Sequence, residues 1–445
     1  MRPFLLIIIY FFMKEINIME KIRSGQSFLY RKNGLNSTVL DIRMKQHIRG
    51  DYLQRALTMT LQRYPYMMSK LVEKDGDFYL EKSMHSMNIA KTKNFRKLGS
   101  MSVGYHLIDV TYWENSIYIA FHHALCDGRG ITPFLETLVY YYCCLRYNTQ
   151  FDSSGIRLAG EPLLPGETED PIGDALFEVD QNNLPQIVKD GYTLLENLEG
   201  YENYYRYEIN INKQSFLDYM KTNKATPAIL LAMLVSGSIY SVHQFAEKPI
   251  VCSMAVDYRR DIGLENTHKN CVGSLYLPYS AETDKMNASE TAQLYRSLIK
   301  KQKQPDAVKH MINAQIGLCQ KIDQISTLEE KRAALSFFDE MCIDTYVISY
   351  LGQIQLGECE QYVESIHLYN SGVKGLRINM VCAGDYFTID FLQSFQSDDI
   401  FTELLKKLDA ADIEYTSSGH IQFETVKDKA FITASRQAER YSMVL

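Results

Sequence analysis

The sequence predicts a mixed α/β fold of two subdomains of similar size. Three observations carry this: helical and strand periodicities mix in both halves, the strands come as hairpins and as crossovers, and the pattern resets around residues 185–205. A chain of 445 residues suits two to three domains at about 150 residues each. With 46% hydrophobic and 23% charged residues it has ordinary globular composition, which excludes a disordered or fibrous chain. No short repeat occurs, which excludes a solenoid. The expected division is an apolar N-terminal extension over 1–21, a first subdomain over 22–190 and a second over 191–445.

In the first half, Asp51 to Arg63 reads as a helix with Leu53, Leu57 and Leu61 on one face, Asp51 near its N-cap and Pro65 as its stop. Met67 to Val72 and Phe78 to Leu80 flank the turn residues Lys74 to Asp77 as a hairpin. His106 to Tyr112 and Ile117 to His122 form a second hairpin across Glu114 to Ser116. Gly128 to Leu145 has the content of a buried helix, and Ser153 to Gly173 reads as a surface loop.

In the second half, Tyr205 to Ile211 reads as a strand. Thr226 caps a helix with Pro227 at its first position, running to about His243. Ile250 to Val256 and Gly273 to Leu277 read as strands, followed by helices near 288–303 and 306–322 and a strand over Ile343 to Ser349. Val363 to Leu368, Leu376 to Cys382 and Tyr386 to Phe391 read as three consecutive antiparallel strands, with Gly384-Asp385 turning between the last two. Asp398 to Asp412 closes the pattern as an amphipathic helix.

Lys+Arg 47 against Asp+Glu 54 leaves a net charge of −7 and no basic run, a poor balance for a nucleic-acid backbone reader. The nine cysteines are odd in number and form no CxxC, so they read as reduced, mostly buried thiols of a cytoplasmic protein and not as a disulfide or zinc framework. The apolar run Phe4 to Phe12 is too short for a membrane span, which takes about 20 residues, and no small-x-small cleavage site follows it. A translation start at Met13 or Met19 is the favoured reading over a secretion signal.

The chemistry concentrates in IYIAFHHALCDGRG, residues 117–130. A strand delivers His122 and His123, a short loop follows, and Asp127-Gly128 opens a helix. Neighbouring strand residues point to opposite faces, so one imidazole can enter a cleft while the other packs. A neutral imidazole is a suitable general base near pH 7. Asp127 can cap the helix or pair with an arginine, and Gly128 permits close backbone approach. From the residue counts, H-H-x-x-x-D-G at this spacing arises by chance on the order of once in a thousand such chains. The bland reading, a satisfied core histidine pair beside a helix cap, is the weaker one in this strand–loop–helix context.

HHALCDG resembles the HHxxxDG motif of the chloramphenicol acetyltransferase-like superfamily, which includes free-standing alcohol acyltransferases, polyketide-associated acyltransferases and condensation domains. YLQRALTMTLQRYPYM resembles the family's first helix, VDYRRDIG with NCVGSLYLP its second-subdomain arginine region, and VISYLGQIQL its Ser-Asn-x-Gly strand. The resemblance implies two coenzyme A-dependent-acyltransferase-like subdomains, each a mixed sheet flanked by helices, with an active-site channel between them. It implies acyl transfer from acyl-CoA to a hydroxyl or amine, with His123 as the general base and His122 in a structural position. It further implies an Asp127–arginine pair, for which Arg259 is the first candidate and Arg260 the second, and a hydroxyl near the oxyanion at Ser349. Tyr350 stands where the family places an asparagine, and the DFGWG motif of the plant-type members is absent. No carrier-protein domain is recognisable in the chain, so acyl-CoA is the simplest donor and a separate carrier protein the alternative. Such chemistry requires no bound cofactor and no metal. The expected partners are a small-molecule acceptor and acyl-CoA, with no nucleic acid and no stable membrane span. The competing reading is a non-catalytic or divergent condensation-like binding protein of a biosynthetic pathway.

Other residues take bland readings. Cys126 in the motif loop could suggest a Cys–His nucleophile, but no orienting group accompanies it. Cys143, Cys144 and Tyr140 to Tyr142 read as packing residues of a helix. His106, His243, His268, His310, His367 and His420 read as ordinary. Lys300 to Gln304 reads as a solvated helix end, with capture of coenzyme A phosphates as its alternative.

Overall fold

The computed structural model describes residues 19–31, 37–83, 86–186, 188–194, 204–244, 246–340, 343–370, 373, 375–419 and 421–423. The apolar run 4–12, Cys342 and His420 lie outside them. The first part of the chain forms β1 (Met19–Lys21), α1 (Gln26–Tyr30), β2 (Thr38–Met44), α2 (Gly50–Arg63), β3 (Ser69–Lys74), β4 (Asp77–Lys82), β5 (Ala90–Lys91), β6 (Ile108–Trp113), β7 (Ser116–Phe121) and α3 (Gly128–Tyr147). After a long connection follow β8 (Tyr204–Asn212), α4 (Lys213–Asn223), α5 (Pro227–Val242), β9 (Ile250–Asp257), β10 (Val272–Tyr279), α6 (Ala281–Asp284), α7 (Ala288–Gln302), α8 (Pro305–Asp323) and α9 (Leu328–Glu340). The chain continues with β11 (Tyr346–Gln353), β12 (Val363–Asn370), β13 (Leu376–Ala383), β14 (Tyr386–Gln393), α10 (Asp399–Ala410), β15 (Tyr415–Ser417) and β16 (Ile421–Phe423).

These make two subdomains. The first centres on a five-stranded sheet ordered β12-β2-β7-β6-β5, with a three-stranded sheet β1-β4-β3 beside it. Leu53, Leu57 and Leu61 on α2 and the apolar length of α3 share its core with Val39, Ile42, Val110 and Ile119. The second centres on an eight-stranded sheet ordered β10-β9-β11-β13-β14-β8-β15, with β16 also on β8. Its core joins Ile348, Ile378 and Ile389 to α5 and to Ile400, Leu404 and Leu408 of α10. Thr226 caps α5 by accepting from the Ile229 amide, and Pro227 begins it. No single described helix is long and apolar enough to cross a membrane; the pair α4–α5 reaches that length only with an 86° bend, and α5 is largely buried.

Three expectations are corrected. β12 does not continue the β13–β14 hairpin but pairs antiparallel with β2 in the first sheet, His367 opposite Asp41. Its other backbone edge is met by side chains of the second sheet: Asn379 Nδ2 donates to the Leu368 carbonyl at 3.0 Å, and Asp390 Oδ2 accepts from the Leu368 amide at 2.9 Å. An apolar run shows that a strand exists, whereas its partner is chosen by tertiary contacts. The loop over 153–173 has no helix or strand, yet Glu167 within it is buried and takes both Arg63 nitrogens, at 2.7 and 2.9 Å. Residues 19–21, assigned to the extension, are β1 and pair with β4. Asp51 lies near the N-cap of α2 as expected, in the first turn after the cap residue Arg49.

Candidate active site

β7 ends at Phe121, and the His122 amide extends its ladder by donating to the Leu107 carbonyl. The chain then turns, with the amides of Leu125 and Cys126 both donating to the His122 carbonyl. The adjacent imidazoles separate. His122 is buried and its Nδ1 accepts from the Ala124 amide at 3.0 Å, which ties the ring to its own loop and leaves the proton on Nε2. His123 stacks on Phe28 of α1, ring centres 4.6 Å apart, and meets Phe121 edge-on at 6.1 Å. Its Nδ1 is buried without a hydrogen-bond partner, while the residue as a whole keeps partial exposure. Burial first, then His122, Arg377 and Arg31, push its pKa down to about 3, so the ring is neutral at ordinary pH.

Gly25 makes this arrangement fit. Its φ is +72°, and a Cβ there would lie 2.1 Å from the His123 carbonyl oxygen. Only glycine combines that left-handed backbone with that approach.

Both carboxylate oxygens of Asp127 are engaged in scaffolding. Oδ1 caps α3 by accepting from the Gly130 amide at 2.7 Å and receives Arg259 Nη2 at 2.7 Å, and Oδ2 accepts from the Cys271 amide at 2.8 Å. Arg259 is otherwise spent on the Thr267 and Lys269 carbonyls and on Asp257. Burial opposes its charge, but Asp127, with Cys271 and Asp257, more than offsets that and raises its pKa. Arg260 is exposed and takes no part. Gly130 lets α3 approach this strap: a Cβ there would lie 2.0 Å from the His268 carbonyl oxygen.

Ser349 lies on β11 in register with Asn379 of β13. Tyr346 and Ile348 belong to the second subdomain's core, whereas Leu351 packs against the first and against Gly128. By strand alternation Ser349 shares Leu351's face, so it faces the junction that His123 occupies. Tyr350 points the other way, onto the second core. The Ser349 hydroxyl is partly exposed and has no hydrogen-bond partner among the described residues.

The Cys126 thiol is buried and held neutral, by burial and then by Asp127, which leaves no thiolate for nucleophilic chemistry. His268 stacks on Tyr66 and its Nδ1 lies 2.8 Å from the Glu167 carbonyl. His367 stands with Glu208 and Asp390, their ligand atoms within 4.8 Å of one another, a grouping that residue spacing did not reveal. Sequence reasoning also missed Gly25, Phe28, Arg31 and Arg377. GQSFLYR carries too short a helix to show periodicity, and Arg377 is one polar residue in an apolar strand.

No family model and no curated protein matches the chain. Solved structures do. Polyketide synthase associated protein 5 from Mycobacterium tuberculosis superposes with a TM-score of 0.59 at 13% identity, over 88% of this chain and 98% of that one. Trichothecene 15-O-acetyltransferase TRI3 from Fusarium sporotrichioides gives 0.58 at 12%, over 89% and 95%. The starter condensation domain of rhizomide synthetase RzmA gives 0.56 at 11%, over 90% and 94%. The fold is that of the coenzyme A-dependent acyltransferases and condensation domains. Within this fold, the loop that bears His123 lies where the two subdomains meet.

Proposed function

We propose that the protein is an acyltransferase that moves an acyl group from an acyl-CoA thioester to a hydroxyl or amine. The observation that carries this is His123: a neutral, partly exposed imidazole with an unpartnered Nδ1, at the subdomain junction of this fold. His123 takes the acceptor's proton as its oxygen or nitrogen attacks the thioester carbonyl. The oxyanion of the tetrahedral adduct collapses, the carbon–sulfur bond breaks, and the imidazolium returns the proton to the departing thiolate. In this reading Ser349 donates its hydroxyl to that oxyanion. His122, Asp127, Gly128 and Arg259 hold the loop. Further support comes from the structural neighbours, one a trichothecene 15-O-acetyltransferase and another solved with coenzyme A and T-2 mycotoxin. A cytoplasmic site of action belongs to the same proposal, and a carrier protein is the alternative donor to acyl-CoA.

One observation favours a non-catalytic binding protein instead: an imidazole pushed down to about 3 is a weak base. The test is thiol release from acetyl-CoA with a panel of alcohols and amines, products being identified by mass spectrometry. His123→Ala should lower turnover by about 10²–10⁴-fold. Equal rates for wild type and variant on every productive pair would remove His123 from catalysis.

A further inference from the structure

We propose that one of the two reacting partners carries a carboxylate, which Arg377 holds beside His123. This rests on the acyl-transfer reading and adds a substrate class to it.

The geometry begins with β13. Leu376, Ile378, Met380 and Cys382 belong to the second subdomain's core, while Val381 and Ala383 belong to the first subdomain's. Arg377 and Asn379 alternate onto that first-subdomain face. Asn379 is covered there by β12, bonding the Leu368 carbonyl and Asn370 Oδ1. β12 ends at Asn370, and Arg377 lies two residues further along the same face. Its register partner on parallel β11 is Val347, next but one to Ser349, so Arg377 and Ser349 share the face that meets the His123 loop.

From the other side comes α1. Phe28 stacks on His123, and Arg31 holds its guanidinium 5.0 Å from the centre of that same Phe28 ring. Both arginines act electrostatically on His123, and Arg31 acts on Arg377.

Two like charges have thus been brought to one imidazole. The Arg377 guanidinium has no hydrogen bond and no ion pair among the described residues; Asp344 acts on it only from beyond ion-pair distance. Arg206 of β8 and Arg259 of the turn after β9, both buried, are each paired with carboxylates. Arg377 is half-buried, and a guanidinium without a counter-ion at such a site matches a planar carboxylate in charge and geometry. A carboxylate there would also offset the positive charge now bearing on His123 and strengthen the base. The phosphates of coenzyme A lie at the far end of the pantetheine arm from the thioester, so an anion this near the base belongs to the acceptor or to the acyl group.

The experiment uses the full chain and matched pairs. One arm sets alcohols and amines against their carboxylated analogues, with acetyl-CoA as donor; the other sets acetyl-CoA against succinyl-CoA, with a neutral acceptor. Wild type should prefer the carboxylated member of one arm by at least tenfold in kcat/KM, and that arm names the partner. Arg377→Gln should reduce the preference at least tenfold and Arg377→Lys less, with circular dichroism and melting curves reporting folding. The same acids, against their amides, are titrated for thermal stabilisation. If no pair turns over but acids stabilise wild type and not Arg377→Gln, the acyl-transfer reading fails and the anion site stands. Neutral partners preferred in both arms, a preference unchanged in Arg377→Gln, or no acid-specific stabilisation where turnover is absent would each overturn the proposal.

Discussion

Asp127 and Arg259, 132 residues apart in sequence, meet at 2.7 Å with both side chains sealed from water. One belongs to the first subdomain's motif loop and the other to the turn after β9, so their pair fastens the loop of His123 to the second subdomain. Removing the charge on one side leaves an uncompensated buried ion. Asp127→Asn should cost about 3–5 kcal/mol in urea unfolding. Unchanged stability with abolished turnover would instead place Asp127 in the chemistry.

The backbone at Gly25 supports the base directly. Gly25→Ala strains a φ of +72° and drives a methyl group to 2.1 Å from the His123 carbonyl oxygen. The left-handed backbone alone costs about 1–2 kcal/mol. Displacement of the His123 loop should add at least a tenfold loss of acyl-transfer rate. Wild-type rates at reduced stability would show that the loop tolerates the shift.

Acid should act through two imidazoles, those of His123 and His268. Burial, then His122, lowers His123 to about 3, and burial, then Lys269, lowers His268 to about 3, against an ordinary 6.5. Between about 3 and 6.5 the unfolded chain binds more protons than the folded one, so stability falls as pH falls through that window. Glu136, pushed up to about 6 by burial, works in the opposite sense between 4.5 and about 6. The comparison is therefore between wild type and His268→Gln, whose urea midpoint should fall less steeply with acid. For activity, the acid limb of kcat/KM, which reports the free enzyme, should lie well below pH 6.5.

Glu208, His367 and Asp390 have the spacing of a metal site but already hold cations. Arg43 takes both oxygens of Glu208 at 2.8 and 2.6 Å, and Arg206 bridges Glu208 and Asp390 at 2.7 Å each. Zinc and chelators should both leave the melting temperature unchanged, whereas Arg206→Ala should lower stability by about 3–5 kcal/mol by taking the arginine from buried Asp390, Glu208 keeping Arg43. Stabilisation by zinc would show that the arginines give way to a metal.

The hairpins, the capped helix after Thr226 and the closing helix were legible because each is specified locally, by a turn pair, a cap or an apolar stripe. β2 and α4 left no comparably plain signal, and β12 was legible as a strand but not in its place. Its two flanks are filled by residues from distant parts of the chain, β2 on one edge and Asn379 and Asp390 on the other.

The amino-acid sequence by itself determined the two-part α/β architecture and the strand–loop–helix that presents His122, His123 and Asp127, since backbone period and capping are properties of neighbours along the chain. Only the tertiary structure decided which arginine meets Asp127, that Gly25 and Phe28 brace His123, and that Arg31 and Arg377 bring charge to it. Those relations depend on how two sheets approach each other, and buried charge and close contact are settled by distance in space.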